Sequence, residues 1–245
     1  MGSGAVVENQ WRNDGRLTSR RSSSSSLLRE VMRHSLAILI LAFSMSIGAN
    51  RLCAETINIV ALGDSNTFGT GQGNTPGGVP MAEAYPAKME RALRARGWDV
   101  SVSNQGAAGQ TARDAVYSLD RRIPAGTKLT IIELGQNDRN FLGASPPDIA
   151  SSLAEIIRRV RAKGSAIILV RMWRQSDDAA FAGVQQSVAA VVTWYFDLWS
   201  DGRVRPEYDS GDHSHLNAAG TDVVVSRALP DMERVLTQIG FRPNR

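Results

Sequence analysis

The 245-residue chain has one cysteine and three histidines, and only 6% of it is aromatic. A lone cysteine excludes an internal disulfide, so the fold must rest on an apolar core. With so few histidines, a metal site would have to be built almost wholly from carboxylates. Long apolar runs are also missing. The only one, SLAILILAFSMSIGA at residues 35–49, falls short of the ~18–20 residues needed to span a bilayer. The glycine-rich stretch GTGQGNTPGG at residues 69–78 lacks the lysine of a phosphate-binding loop. We expect it to form a flexible wall beside a cleft.

An apparent excess of positive charge disappears on inspection. The formal net charge is +4, with an isoelectric point near 9.6. Residues 1–54 carry seven of the 28 basic side chains but only three of the 24 acidic ones. Residues 55–245 therefore hold 21 of each sign. This balance removes the main support for a nucleic-acid partner. The first 54 residues read as a leader: an Arg- and Ser-rich start, then Met32-Arg33-His34, the short apolar run, and NRLCAE. Residues 32–54 have the proportions of a secretory signal peptide, with cleavage after Ala54. No permanent membrane anchor is expected, and the mature domain would be periplasmic or secreted. A lipid anchor on Cys53 is disfavoured because the bulky Leu52 precedes it.

No repeat, linker or low-complexity tract divides residues 55–245, a length sufficient for one core. Apolar, β-branched runs at residues 56–63, 99–104, 128–135, 165–172 and 191–198 read as strands. Helical stretches at 84–97, 112–122, 147–163 and 178–190 separate them, and a last helix starts near Asn217. Near-continuous Val/Ile/Leu strands suit a sheet covered on both faces, and intervening helices imply parallel crossovers. The expected fold is a three-layer α/β/α sandwich around a mostly parallel sheet of about five strands. Pro230 should kink or restart the final helix.

Four loops fall at or near strand ends, where ligands gather in such folds. GDSNTFG (63–69) brackets Ser65 with glycines, a turn able to expose the hydroxyl. NQGAAG (104–109) has side chains small enough to let a backbone N–H face a cleft. GQND (135–138) puts an amide at a strand tip, and DHSH (212–215) precedes the final helix.

These four blocks, in this order across residues 55–245, resemble the SGNH hydrolases, also called GDSL-type esterases. The resemblance implies an SGNH, flavodoxin-like fold with no cofactor and no metal. It implies Ser65 as nucleophile, Asp212 and His215 as its partners, and an oxyanion hole made by Ser65 N–H, Gly109 N–H and the Asn137 amide. Asn66, where the family often has leucine, is expected to bear on substrate preference. The region after GQND is similar to the bacterial arylesterase, thioesterase and lysophospholipase branch.

The chemistry is consistent with these roles. A serine hydroxyl needs a base to take its proton, and histidine is the side chain that titrates near neutral pH. Outside the leader only His213 and His215 qualify. His215 is favoured because an acid three residues earlier can fold back under its ring, whereas His213 on an extended segment would point away. Trp173 and Arg174 could line the cleft, although a tryptophan packed beneath a loop reads equally well. The expected activity is hydrolysis of carboxylic esters or thioesters on small-molecule, lipid or polysaccharide substrates. A polysaccharide O-acetyl esterase or acyltransferase, and a non-catalytic carbohydrate- or lipid-binding domain, are the alternatives.

Overall fold

The computed structural model describes residues 55–70 and 77–244; the leader and its cleavage point lie outside them, as does the middle of the glycine-rich stretch. Five parallel strands form the central sheet in the order β2-β1-β3-β4-β5. They are β1 Ile57–Gly63, β2 Val100–Gly106, β3 Leu129–Glu133, β4 Ala166–Val170 and β5 Ala190–Val192. The α-helices are α1 Ser65–Phe68, α2 Tyr85–Ala95, α3 Ala112–Arg122, α4 Gln136–Leu142, α5 Pro146–Ala162, α6 Asp178–Gln185 and α7 Ala218–Gln238.

The side chains of the sheet sort the helices into two layers. Ile59, Ala61, Ile131 and Ile168 meet Met89 and Leu93 of α2 and Val224, Ala228 and Met232 of α7. Val60, Leu62, Ile132 and Leu169 meet α3, α5 and α6 through residues such as Leu119, Leu153, Ile156 and Phe181. Alternate positions of β1 thus serve opposite cores, which explains why this strand has no polar face. Because β2 lies outside β1 while β3 and β4 lie on its other side, the strand order reverses between β1 and β3. Doubly wound sheets open a crevice at such a point.

The helix starts follow from local chemistry. Thr111 caps α3 by accepting from Asp114 N–H, and Ser145 and Asp148 form a capping box ahead of two prolines in α5. Asn217 caps α7 through Gly220 N–H.

Two expectations about the C-terminal third need correction. The helix α7 runs unbroken through Pro230. The missing N–H and ring crowding cost about 3 kcal/mol, but Val224, Ala228, Met232 and Val235 on either side are fully buried, and their packing keeps the helix from ending and restarting. The fifth strand ends at Val192 rather than at Leu198, and the preceding helix ends at Gln185. Trp194 leaves the strand line to pack edge-on against Tyr85, while its indole N–H donates to Asp231 of α7. Arg227 of α7 then donates to the Trp194 and Phe196 carbonyls, satisfying backbone that a longer strand would have paired. A small antiparallel pair, β6 Trp199–Ser200 and β7 Arg203–Val204, follows.

Candidate active site

All four loops converge at the carboxyl end of the sheet, beside the β1/β3 crevice. After Gly63 the chain turns at once into the single-turn helix α1. Asp64 caps it by accepting from Asn66 N–H at 2.9 Å, and Ser65 is its first residue, part-exposed. First-turn N–H groups of a helix lack intrahelical partners, so Ser65 N–H is available to an oxyanion. The turn is tight enough that a Cβ on Gly63 would collide with the Thr67 side chain and the Glu133 carboxyl. Asn104 braces the far end of α1 through hydrogen bonds to the Thr67 and Phe68 carbonyls.

Gly109 adopts a left-handed backbone (φ 71°), is exposed, and has open space where a side chain would stand. The Asn137 side chain lies at the start of α4 and is buried at 8% exposure. One hydrogen of its amide is engaged by the Gln110 carbonyl at 3.0 Å. The other remains to be given to a ligand. Asp138 joins the same loops by accepting from Ala112 N–H and Arg113 N–H, fixing α4 against the start of α3.

The two histidines are distinguished by their partners. His215 Nδ1 lies 2.5 Å from Asp212 Oδ2. The other carboxylate oxygen, Oδ1, accepts from Ser214 N–H and His215 N–H. Partial burial would raise the Asp212 carboxyl, but the His215 ring and those two N–H groups outweigh it and hold it below the usual carboxylate range. His213 is not extended, as expected, but left-handed with φ 62°. Its ring is 60% exposed and pairs with Asp209 at 2.8 Å. Asp209 also accepts from Gly211 N–H and His213 N–H. The loop therefore holds two Asp–His pairs in series, and the sequence reading missed the outer one. The signal was available in D-x-x-x-H at residues 209–213.

Three contacts dock this loop on the rest of the site. Asn66 Oδ1, next to the serine, accepts a long hydrogen bond (3.4 Å) from Leu216 N–H, next to the histidine. Asn66 thus stitches the serine turn to the histidine loop, a role not foreseen for it. Gly78 N–H donates to Ser210 Oγ at 2.6 Å. Gly77 presses its bare Cα against the Asp212 carboxylate, in space a Cβ could not share.

The weaker assignments fare differently. Trp173 is buried and stacked on Phe181 with centroids 4.2 Å apart, its N–H donating to Asp178. It packs beneath its loop. Arg174 is exposed at the start of the segment leading into α6. Trp194 and Tyr195 belong to the core. Among the described residues, no three His, Cys, Asp or Glu side chains converge in a way that could hold a metal ion.

The chain is similar to known proteins. The sequence profile of the GDSL-like lipase/acylhydrolase family matches residues 61–223. An arylesterase of Vibrio mimicus is 28% identical over 115 residues, covering 46% of this chain and 54% of that protein. The chain thus spans about half the length of that curated relative. Among solved structures, the esterase EstA of Pseudoalteromonas sp., in a form inhibited by monoethylphosphonate, gives a TM-score of 0.61 at 17% identity. That match covers 74% of this chain and 98% of the other, and at such identity it bears on the fold alone. AlinE4, an SGNH-hydrolase family esterase, gives a TM-score of 0.52 at 27% identity, covering 75% of this chain and 98% of the other.

Proposed function

The chain belongs to the GDSL-like lipase/acylhydrolase family of ester-hydrolysing enzymes, and on that premise we propose that it is an exported serine esterase acting on carboxylic esters or thioesters. The observation that carries this reading is the Asp212–His215 pair, held to the serine's own turn through Asn66 and Leu216. With Nδ1 committed to the carboxylate, the His215 ring has Nε2 free to face a hydroxyl.

In the reaction, Ser65 Oγ attacks the ester carbonyl carbon as its proton passes to His215 Nε2. Asp212 stays ionised, fixes the ring and stabilises the imidazolium. The carbonyl oxygen becomes an oxyanion held by Ser65 N–H, Gly109 N–H and the free Asn137 N–H. As the intermediate collapses, His215 returns the proton to the departing alkoxide or thiolate. Water then repeats the sequence on the acyl-serine and releases the acid. Loss of one preorganised donor typically costs ~10²–10³ in rate. We expect Asn137→Ala to lower kcat by roughly that factor with little change in KM, because the donor acts on charge present only in the transition state. Steady-state kinetics on an aryl ester checks this.

Covalent labelling with a fluorophosphonate tests the reading as a whole, since the probe requires an activated serine. No labelling at Ser65 would leave a non-catalytic binding domain. A panel of aryl esters of increasing chain length, acyl-thioesters and acetylated xylan then assigns the substrate class, including the O-acetyl esterase alternative.

Export rests on the leader in the sequence, supported by the position of β1. The strand starts at Ile57, only two residues after Glu55, so cleavage after Ala54 would leave the fold intact. Intact-mass measurement of the periplasmic protein is expected to give an N-terminus near Glu55; full-length protein in the membrane fraction would rule export out.

A further inference from the structure

The reaction as written makes no use of Glu133, yet this acid is fully buried at the carboxyl end of β3, directly beneath the serine turn. Its Oε2 accepts from Asp64 N–H at 3.2 Å and from Thr67 Oγ at 2.8 Å. Its Oε1 is buried and meets no donor. The Asp64 carboxyl is buried as well, on the residue whose own N–H Glu133 binds, and each acid perturbs the other. Asp64 Oδ1 is committed to Asn66 N–H, which leaves Oδ2. Two carboxylates cannot both remain ionised in such a place without a cation between them. Among the described residues no lysine or arginine bears on either acid: the other titratable groups that do so are Tyr85 and Tyr195 at Glu133 and His215 at Asp64.

We propose that Glu133 is a protonated positioning residue, whose Oε1–H donates to the Asp64 carboxylate while Oε2 accepts from Asp64 N–H and Thr67 Oγ–H. A single neutral acid then satisfies three partners and fixes both ends of the turn that presents Ser65. One negative charge, on Asp64, remains under the serine turn. Burial and the neighbouring Asp64 charge push the Glu133 carboxyl well above its ordinary range, in agreement with this hydrogen-bond pattern. The catalytic consequence rests on the esterase reading; the shared proton does not.

Glutamine is the informative replacement, because its amide N–H can donate to Asp64 while its carbonyl accepts from Asp64 N–H and Thr67. We expect Glu133→Gln to keep kcat within a few-fold of wild type, and Glu133→Leu to lower it at least tenfold with KM little changed. The infrared spectrum of wild type near neutral pH should contain the C=O stretch of a protonated carboxyl that is absent from Glu133→Gln. Thermal stability gives a second, activity-independent readout. A carboxyl whose folded pKa is raised stabilises the fold fully below its unfolded value, ~4.3 for glutamate, and that contribution is lost as pH rises towards the folded value. Glutamine has no such proton, so the melting temperature of Glu133→Gln relative to wild type should climb as pH rises above the unfolded glutamate value. A wild type without the protonated-carboxyl band, a stability difference flat in pH, or a hundredfold loss of kcat in Glu133→Gln would each overturn the proposal. A protein that shows the band and the stability trend but hydrolyses no ester leaves the pair in place and removes the esterase reading instead.

Discussion

Ser65→Ala is expected to lower kcat by roughly 10⁴–10⁶, to the residue of rate that the oxyanion donors and substrate binding supply by themselves. The size of the effect follows from the division of labour in the site. The base and its acid act on the serine oxygen and have no role once it is removed, so only the oxyanion donors and substrate binding still favour the reaction. The fold should not notice. Ser65 is part-exposed at the first position of α1, and the turn around it is held by Asp64, Thr67 and Asn104 rather than by its hydroxyl. Unfolding free energy should stay within about 0.5 kcal/mol of wild type, measured by denaturant titration alongside turnover on one aryl ester. Near-normal turnover in a folded Ser65→Ala protein would place the chemistry elsewhere.

The second large effect separates two histidines that stand one residue apart. His215→Ala should lose about four orders of magnitude in kcat, since the base and the acid it returns are one ring. His213→Ala should stay within a few-fold of wild type. Its ring is mostly in solvent and its acid is Asp209, so removal breaks an exposed pair of modest worth. Chelation by EDTA should change neither variant nor wild type. An inactive His213→Ala beside an active His215→Ala would show that the outer pair, Asp209–His213, is the working one.

Much of this architecture could be read from the chain, and the exceptions share a cause. Strands β1 to β4 and helices α2, α3 and α5 follow short-range signals: unbroken Val/Ile/Leu runs, amphipathic spacing, and caps such as Thr111 and Ser145. The Asp212–His215 pairing was likewise local, three residues apart. What could not be read depends on distant partners. Val191 to Leu198 looks like a strand until Trp194 finds Tyr85 and Asp231. Pro230 looks like a break until the residues around it are buried against the sheet. Asn66 offers no hint that Leu216, 150 residues later, will meet it. Glu133 did leave a trace, as a lone acid inside TIIELG, but its meaning depends on Asp64 lying one strand away.

That 150-residue separation has a consequence for the order in which the enzyme comes into being. Ser65 is synthesised early, whereas His215, the base proposed for it, arrives on the last loop before α7. This helix docks on α2 through Lys88, which reaches Asp222 and the Ala218 carbonyl, and on the turn after α2 through Arg96 and Trp98, which reach Glu233. On the proposed mechanism, a nascent chain that stops short of residue 211 carries a serine with no proton acceptor. Hydrolytic power is thus withheld until the final segment has emerged and settled, and its first appearance would report completion of folding.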